Sequence, residues 1–307
     1  MPVSVYLQML LATFLWGTAF PVAKTALQHV GPLTLAGLRF TIAGLLLLAS
    51  STVFRSQMEP AEPQGKRPVE WLRVLAISLM STASFYGLLF LGMTRTSAAS
   101  VAAIDAAGPV ISVVFAHFAL HDDRLSVRRG AAILLAFAGI LSIALAKQGH
   151  GIAQTSLIGC GLILLGLTFN SAGTMLVVTY RGRFGIDRLT GTQMFLGGCL
   201  LLILAWILEQ PLTQLRVPLS FCWLLLWLAI VSAVAFRLWY GLIRRYKVTS
   251  LTVFSFLTGL WGVALSVVFL NDRLTPQFIV GLIAVVAGVI MMNSEKTSHR
   301  RTAPVDA

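Results

Sequence analysis

The segment GLRFTIAGLLLL, Gly37–Leu48, is matched 154 residues later by GTQMFLGGCLLL, Gly191–Leu202. Two glycines and the closing run of three leucines coincide between them. A second pair, Asp-Arg-Leu-Ser at 123–126 and Asp-Arg-Leu-Thr at 272–275, recurs at an offset of 149 residues. Two matches at nearly the same offset indicate an internal repeat. We therefore predict one unit over residues 1–147 and a second over 156–293.

The composition is that of a membrane protein. Hydrophobic residues make up 57% of the chain and charged residues 11%, whereas soluble domains carry about 25% charge. A helix that crosses the hydrocarbon core needs about 20 mostly apolar residues. Ten windows qualify: 4–23, 33–53, 71–92, 97–119, 129–147, 156–178, 190–209, 220–243, 249–270 and 276–293. The predicted fold is an all-α membrane protein with ten transmembrane helices.

The distribution of charge predicts the orientation. A net charge of +12 would suggest nucleic acid as the partner of a soluble protein, but here the basic residues lie in short loops between apolar windows. With the N-terminus inside, sixteen Lys and Arg residues fall on the inside and five in outside loops, which is the bias of cytoplasmic loops. Both termini are therefore expected to be cytoplasmic, with 294–307 as a polar cytoplasmic tail and no nucleic acid as partner.

Five helices in each unit give an odd number, so the second unit enters the membrane from the opposite side. Inverted repeats around a site at the membrane midplane are a common transporter architecture. Two near-equivalent halves give inward-open and outward-open states of similar energy, which rocking can interconvert. The repeat thus predicts a carrier that works by alternating access.

Several motifs resemble the drug/metabolite transporter superfamily, in particular its ten-helix EamA group. The resemblance rests on segments spread over the chain: FLWGTAFPVAKTAL (14–27), GLRFTIAGLLLL (37–48), TSAASVAAIDAAGPVISVVFAHFAL (96–120), DDRLSVRRGAAILLAFAGILSI (122–143) and NDRLTPQFIVGLIAVVAGVIMM (271–292). The family usually has Glu before Arg-Leu, where this chain has Asp123 and Asp272. The resemblance implies export of amino acids or related metabolites across a bacterial inner membrane.

Two ionisable residues lie deep within predicted spans, where charge is costly and so marks a candidate functional site. Arg39 is about six residues into the second window and Asp105 about eight residues into the fourth, at similar depths from the outer side. We expect them to pair, or to line the outer half of a cavity together. They would then bind the carboxylate and ammonium of a zwitterion, or pass a proton. The alternatives are a structural ion pair, or an Arg39 that extends to the headgroups.

Further polar and aromatic residues are candidates for substrate contact. Arg237 and Lys24 lie near span ends and either reach the substrate or anchor the interface; Asn170 lines the path or bridges helices. The aromatic residues line an amphipathic cavity or populate the membrane interfaces. They are Trp16, Phe20, Tyr86, Trp239, Tyr240 and Trp261.

Glycine and proline are expected to interrupt two of the spans, because they loosen a membrane helix and free backbone groups to face a cavity. The candidate hinges are Gly17 and Pro21 in the first span and Gly108 and Pro109 in the fourth. Static kinks are the alternative. Small residues in the fifth and tenth spans predict close helix packing, either within one chain or across a dimer: Ala132, Ala136 and Gly139, with Gly281, Ala284 and Gly288.

The predicted function is secondary transport of a small molecule. The sequence lacks the GxxxxGK[ST] loop of nucleotide-driven pumps and the HExxH and GxSxG patterns of hydrolases, so we expect no enzyme activity, no cofactor and no metal. The expected partners are a small-molecule substrate and the lipid bilayer, with the proton as an optional coupling ion. The chain is a monomer or a homodimer. A non-transporting receptor or assembly subunit and an intramembrane enzyme are the alternative functions.

Overall fold

The computed structural model describes residues 3–53, 67–112, 127–145, 156–180, 184–209, 218–245, 248–272 and 274–293. The described residues form helices with short connections and contain no strand. The helices are α1 (Val3–Ala26), α2 (Pro32–Val53), α3 (Arg67–Ile77), α4 (Phe85–Thr94), α5 (Ala98–Asp105), α6 (Val127–Leu145), α7 (Leu157–Val178), α8 (Ile186–Leu208), α9 (Leu219–Arg245), α10 (Val248–Leu270) and α11 (Pro276–Asn293).

Described helical segments lie within each of the ten apolar windows, and residues 113–119 of the fourth window lie outside the described part of the chain. This confirms the all-helical class. By length and composition, six of the described helical stretches are able to cross a membrane. The other apolar stretches are shorter: Ala98–Ser112, Gly130–Leu145, Phe254–Leu270 and Pro276–Met291. The six are Val3–Ala26, Pro32–Ser50, Glu70–Thr94, Leu157–Val177, Ile186–Leu208 and Leu219–Leu242. Their outward faces carry large apolar side chains such as Leu7, Trp206 and Trp223, a surface suited to lipid.

The two segments that revealed the repeat pack against each other. Helices α2 and α8 run antiparallel, since residues later in α2 contact residues earlier in α8. The close approaches come in repeat-equivalent pairs: Gly37 with Leu202 and Leu48 with Gly191, then Gly44 with Phe195 and Thr41 with Gly198. Adding or subtracting 154 from the residue numbers of one contact in a pair gives the residue numbers of the other contact. The repeat read from the sequence is therefore a pseudo-two-fold relation in the structure.

The second repeated stretch behaves in the same way. Helices α6 and α11 are antiparallel, and their backbones meet at small residues. Gly281 contacts Gly139 as Gly288 contacts Ala132, and the offset of 149 exchanges these two contacts. The predicted small-residue packing thus occurs within one chain. A Cβ at Gly139 or Gly281 would meet the facing backbone, which explains the glycines at these positions.

Of the two spans predicted to be interrupted, the fourth is interrupted in the structure and the first is not. Helix α1 continues through Pro21; a proline removes a single backbone hydrogen bond, and membrane helices tolerate that loss. The fourth span does break, at a turn over residues 106–107, and is helical again at 108–112. A π-helical segment, Ser78–Ser84, joins α3 to α4 and was not predicted. The motif at 123–126 and the tail at 294–307 lie outside the described residues.

Candidate functional site

A cavity of about 150 Å³ lies in the middle of the helix bundle. Seven helical segments of both repeats contribute to it: α1, α2, α4, α5 with its continuation at 108–112, α7, α9 and α10. Many of the residues predicted from the sequence line it: Trp16, Phe20, Arg39, Tyr86, Asp105, Gly108, Pro109, Asn170, Trp239 and Tyr240.

Helical spacing explains how each helix places several residues on the cavity. Residues three and four apart share one face of a helix. Helix α1 therefore presents Trp16, Ala19, Phe20 and Ala23 together. Trp16 packs edge-on against Phe236 and Trp239, with ring centroids 5.1 and 5.6 Å away. The result is an aromatic wall built by helices from both halves.

Arg39 is buried, with 3% of its surface exposed. Its Nε donates a 2.7 Å hydrogen bond to Ser232 Oγ on α9. Its guanidinium carbon lies 5.0, 5.7 and 5.9 Å from the ring centroids of Phe40, Tyr86 and Phe90, within cation–π range. Arg39 is thus held by one hydroxyl and three rings, and it faces the cavity without a carboxylate partner in the described part of the chain.

Asp105 is the last residue of α5, directly before the turn in the fourth span. It is half-buried and lines the same cavity as Arg39. Among the described residues, no ion pair joins Asp105 to Arg39. Of the two arrangements expected from the sequence, the structure has the two charges lining a common cavity, with each charge open to a ligand.

Hydroxyl groups complete the lining, and sequence reasoning missed them. They belong to Ser112, Ser171, Thr174, Ser255 and Thr258. The hydroxyls of Ser112 and Ser171 are hydrogen-bonded at 3.0 Å. In the described part of the chain, the buried atoms Trp16 Nε1 and Thr258 Oγ1 have no hydrogen-bond partner. Unpaired buried polar atoms are costly, so these two atoms favour a ligand that can bind them.

The repeat offset would have found part of the site. At 154 residues, Trp16 maps to Asn170, Phe85 to Trp239 and Tyr86 to Tyr240. All six of these residues line the cavity. The site therefore lies on the pseudo-two-fold axis, and each half supplies equivalent positions with different side chains.

Other candidates from the sequence lie away from the cavity. Arg237 forms an ion pair with Asp187 at 3.5 Å. The Lys24 ammonium donates hydrogen bonds of 2.6 Å to the carbonyls of Met93 and Thr96. Both charges are engaged by protein groups.

Trp261 and two of the predicted hinges are also outside the cavity lining. Trp261 is 38% exposed and packs edge-on against Phe14. Gly17 allows α1 to approach α10, because a Cβ there would meet Trp261. Pro21 is buried within α1.

Lys24, in the last turn of α1, interacts electrostatically with Asp272. Asp272, in the connection between α10 and α11, accepts a 3.0 Å hydrogen bond from the Ala99 backbone N–H. Burial raises the pKa of Asp272 above its ordinary value, while the Ala99 N–H and the charge of Lys24 oppose that rise. Asp272 thus caps the first turn of α5, close to the Thr96 carbonyl that Lys24 binds.

Comparisons with known proteins agree with this architecture. The chain is 26% identical over 290 residues to the uncharacterized transporter YvbV of Bacillus subtilis, which covers 94% of this chain and 91% of that protein. It is 26% identical to a probable amino-acid metabolite efflux pump of Salmonella typhimurium, with 96% of each chain covered. A solved structure titled "Crystal structure of protein" matches 95% of this chain and 96% of its own, with a TM-score of 0.67 at 19% identity, and so shares the fold.

The family match covers both repeats. The EamA-like transporter family matches residues 3–145 and again residues 157–294. This family consists of transporters and not of enzymes. The chain belongs to the EamA-like transporter family.

Proposed function

We propose that this chain is a secondary transporter that carries small zwitterionic metabolites such as amino acids through the central cavity by alternating access. The observation that carries the proposal is the placement of Arg39 and Asp105 in one cavity without a bond to each other. A zwitterion satisfies both charges at once: its carboxylate meets Arg39 and its ammonium meets Asp105.

The aromatic wall suits the remainder of such a substrate. Trp16, Phe236 and Trp239 surround the space with apolar ring faces and edges. A cavity of about 150 Å³ holds a molecule of about the size of benzene. A small apolar amino-acid side chain fits this volume, whereas larger drug-like ligands occupy pockets of about 300 Å³ or more.

The proposed topology has ten spans in two inverted halves, with both termini on the cytoplasmic side of the cell inner membrane. The antiparallel pairing of α2 with α8 and of α6 with α11 supports inversion, because equivalent helices would be parallel in a repeat of the same orientation. Contacts between the span ends support the alternation. Arg95 O accepts from Ser156 N, both at predicted outer ends; Tyr180 donates to Glu70, both at predicted inner ends.

Export is the proposed direction. The Salmonella typhimurium relative is called an efflux pump for amino-acid metabolites, which is the basis for this part of the proposal. A receptor or assembly subunit would have no need of a cavity lined by two charges, those of Arg39 and Asp105, that do not pair with each other. An intramembrane enzyme is the other alternative, and it would convert the substrate instead of moving it.

Transport by purified protein in liposomes tests the function directly. The probes are L-leucine, 4-methylpentanoate, which lacks the ammonium, and 3-methylbutylamine, which lacks the carboxylate. We expect saturable movement of leucine that exceeds both analogues, measured with and without a proton gradient. A gradient that drives accumulation identifies proton coupling. If no metabolite of a broad panel moves faster than into empty liposomes, the transport proposal is wrong.

Topology has its own test. Single cysteines at 147–156 and at 181–188 should react with a membrane-impermeant thiol reagent from opposite sides of the membrane. Labelling of both loops from the same side would contradict the ten-span arrangement.

A further inference from the structure

Gln193 occupies the position in α8 that Arg39 occupies in α2. The two residues are 154 apart, the offset that the α2–α8 contacts obey. Each is the eighth residue of its helix, counting from Pro32 in α2 and from Ile186 in α8. Since the helices are antiparallel and rise 1.5 Å per residue, the two side chains start about 10 Å from opposite ends of the bundle.

The surroundings of Gln193 repeat those of Arg39. The Arg39 guanidinium lies over the ring of Tyr86, and Gln193 Nε2 donates to the hydroxyl of Tyr240. Tyr86 and Tyr240 are themselves repeat equivalents, and both line the cavity. Gln193 therefore contacts a residue that lines the cavity, Tyr240, without lining the cavity itself.

The hydrogen-bonding groups of the Gln193 side chain are poorly satisfied in this structure. The side chain is 1% exposed, and its buried Oε1 has no hydrogen-bond partner among the residues that the structure describes. The bond from Nε2 to Tyr240 is 3.5 Å long, at the limit of hydrogen-bond geometry. Buried amides in native proteins are normally paired on both atoms, so a purely structural role leaves the free oxygen unexplained.

The proposed alternating access explains how the Gln193 Oε1 atom could gain a hydrogen-bond partner. In an inverted repeat, the second state gives each half the conformation that the other half has in the first. Here Arg39 lines the cavity and Gln193 does not. In the exchanged state, Gln193 takes the cavity-lining position and Arg39 withdraws.

We propose that Gln193 is a substrate-binding residue of the opposite transport state, in which its free amide oxygen accepts a hydrogen bond from the substrate ammonium. This inference rests on the proposed transport function. It assigns the substrate different partners in the two states, with the Arg39 cation on the outer side and the neutral Gln193 on the inner side. The substrate class it requires is a zwitterion with an N–H donor.

Thiol labelling tests the exposure of Gln193 without reference to any substrate. The three native cysteines are replaced by serine, and Gln193→Cys is compared with Met194→Cys. Met194 is the matched control because it is the next residue and is equally buried, at 1%. The reagent is a membrane-impermeant cationic methanethiosulfonate, applied to right-side-out and inside-out vesicles.

We expect Gln193→Cys to react from the cytoplasmic side at least about tenfold faster than Met194→Cys, and Arg39→Cys to react from the outer side. Equal, slow reaction of Gln193→Cys and Met194→Cys from both sides would overturn the proposal. Labelling succeeds or fails whether or not the chain transports leucine, so failure of this inference is distinguishable from failure of the transport function.

Kinetics give the second readout. Gln193→Leu should raise the KM for L-leucine about tenfold from the cytoplasmic side, the loss expected for one hydrogen bond to a charged group. The KM from the outer side should change less than about twofold. Equal changes on both sides would indicate a structural role for Gln193 and would refute the side-specific assignment.

Discussion

Asp105→Asn is the substitution that most directly tests the proposed substrate. Asp105 has neither an ion pair nor a hydrogen bond among the described residues, so its carboxylate is free to bind the ligand. Asparagine has nearly the same size and leaves the cavity shape unchanged. The substitution therefore removes a charge from the site and little else.

The size of the effect follows from the bond that is lost. A hydrogen bond to a charged group contributes about 1.5–3 kcal/mol, and each 1.4 kcal/mol corresponds to about a factor of ten. We expect kcat/KM for L-leucine to fall by about 10-fold to 150-fold in Asp105→Asn. Transport of 4-methylpentanoate, which has no ammonium, should change little.

The assay is initial-rate uptake of radiolabelled leucine into proteoliposomes. Asp187→Asn serves as the matched control, because Asp187 is engaged by Arg237 outside the cavity and the substitution also removes one carboxylate charge. Wild-type leucine kinetics in Asp105→Asn would remove the case for a charge contact. An equal loss for leucine and for 4-methylpentanoate would assign Asp105 to a proton-coupling or structural role.

Three further predictions concern a helix start, the packing of two helices and the pH dependence of stability. Glu209→Gln should lower the free energy of unfolding by about 1 kcal/mol. The Glu209 carboxylate accepts hydrogen bonds of at most 2.9 Å from two backbone N–H groups and one hydroxyl at the start of α2. An unchanged Tm in detergent would contradict this prediction. Gly44→Leu should destabilise the fold by about 1–3 kcal/mol, because a Cβ at Gly44 would meet the backbone of α8. Gly130→Leu should fold normally, since no described residue lies within 4 Å of a Cβ at that position. Equal expression and equal Tm of the two variants would refute the contact. Burial raises the pKa of Asp272, so the folded state holds this proton more tightly than the unfolded chain, and stability should fall as pH rises from the ordinary pKa of aspartate to the raised one. Asp272→Asn should flatten that pH dependence of Tm, and an identical slope in both proteins would exclude Asp272 as its source.

The architecture was predictable because its signals are local or periodic. Each apolar window is recognisable by its own hydropathy, since the hydrocarbon core sets the length of a span. The repeat was visible in two short segments, and the contacts of Gly37 with Leu202 and of Gly139 with Gly281 confirm both offsets. The resemblance to the EamA group is confirmed by the family match over both halves.

The lining of the cavity was only partly predictable, because it depends on how each helix is rotated and on what its neighbours offer. Arg39 and Arg237 look alike in the sequence as single cations within apolar windows. The structure binds Arg237 to Asp187 and leaves Arg39 facing the cavity. Trp261 likewise looks like a lining aromatic, but its face of α10 points outward. Serine and threonine carried no signal, since hydroxyls are common on every face of a membrane helix.

The sequence by itself determined that this chain is a helical, two-fold repeated membrane protein, because hydropathy and internal similarity are written along the chain and need no partner to be read. Only the tertiary structure decided which charges remain free for a ligand. That property depends on distances between side chains of different helices. The roles proposed for Arg39, Asp105 and Gln193 therefore depend on helices that are far from them in the chain.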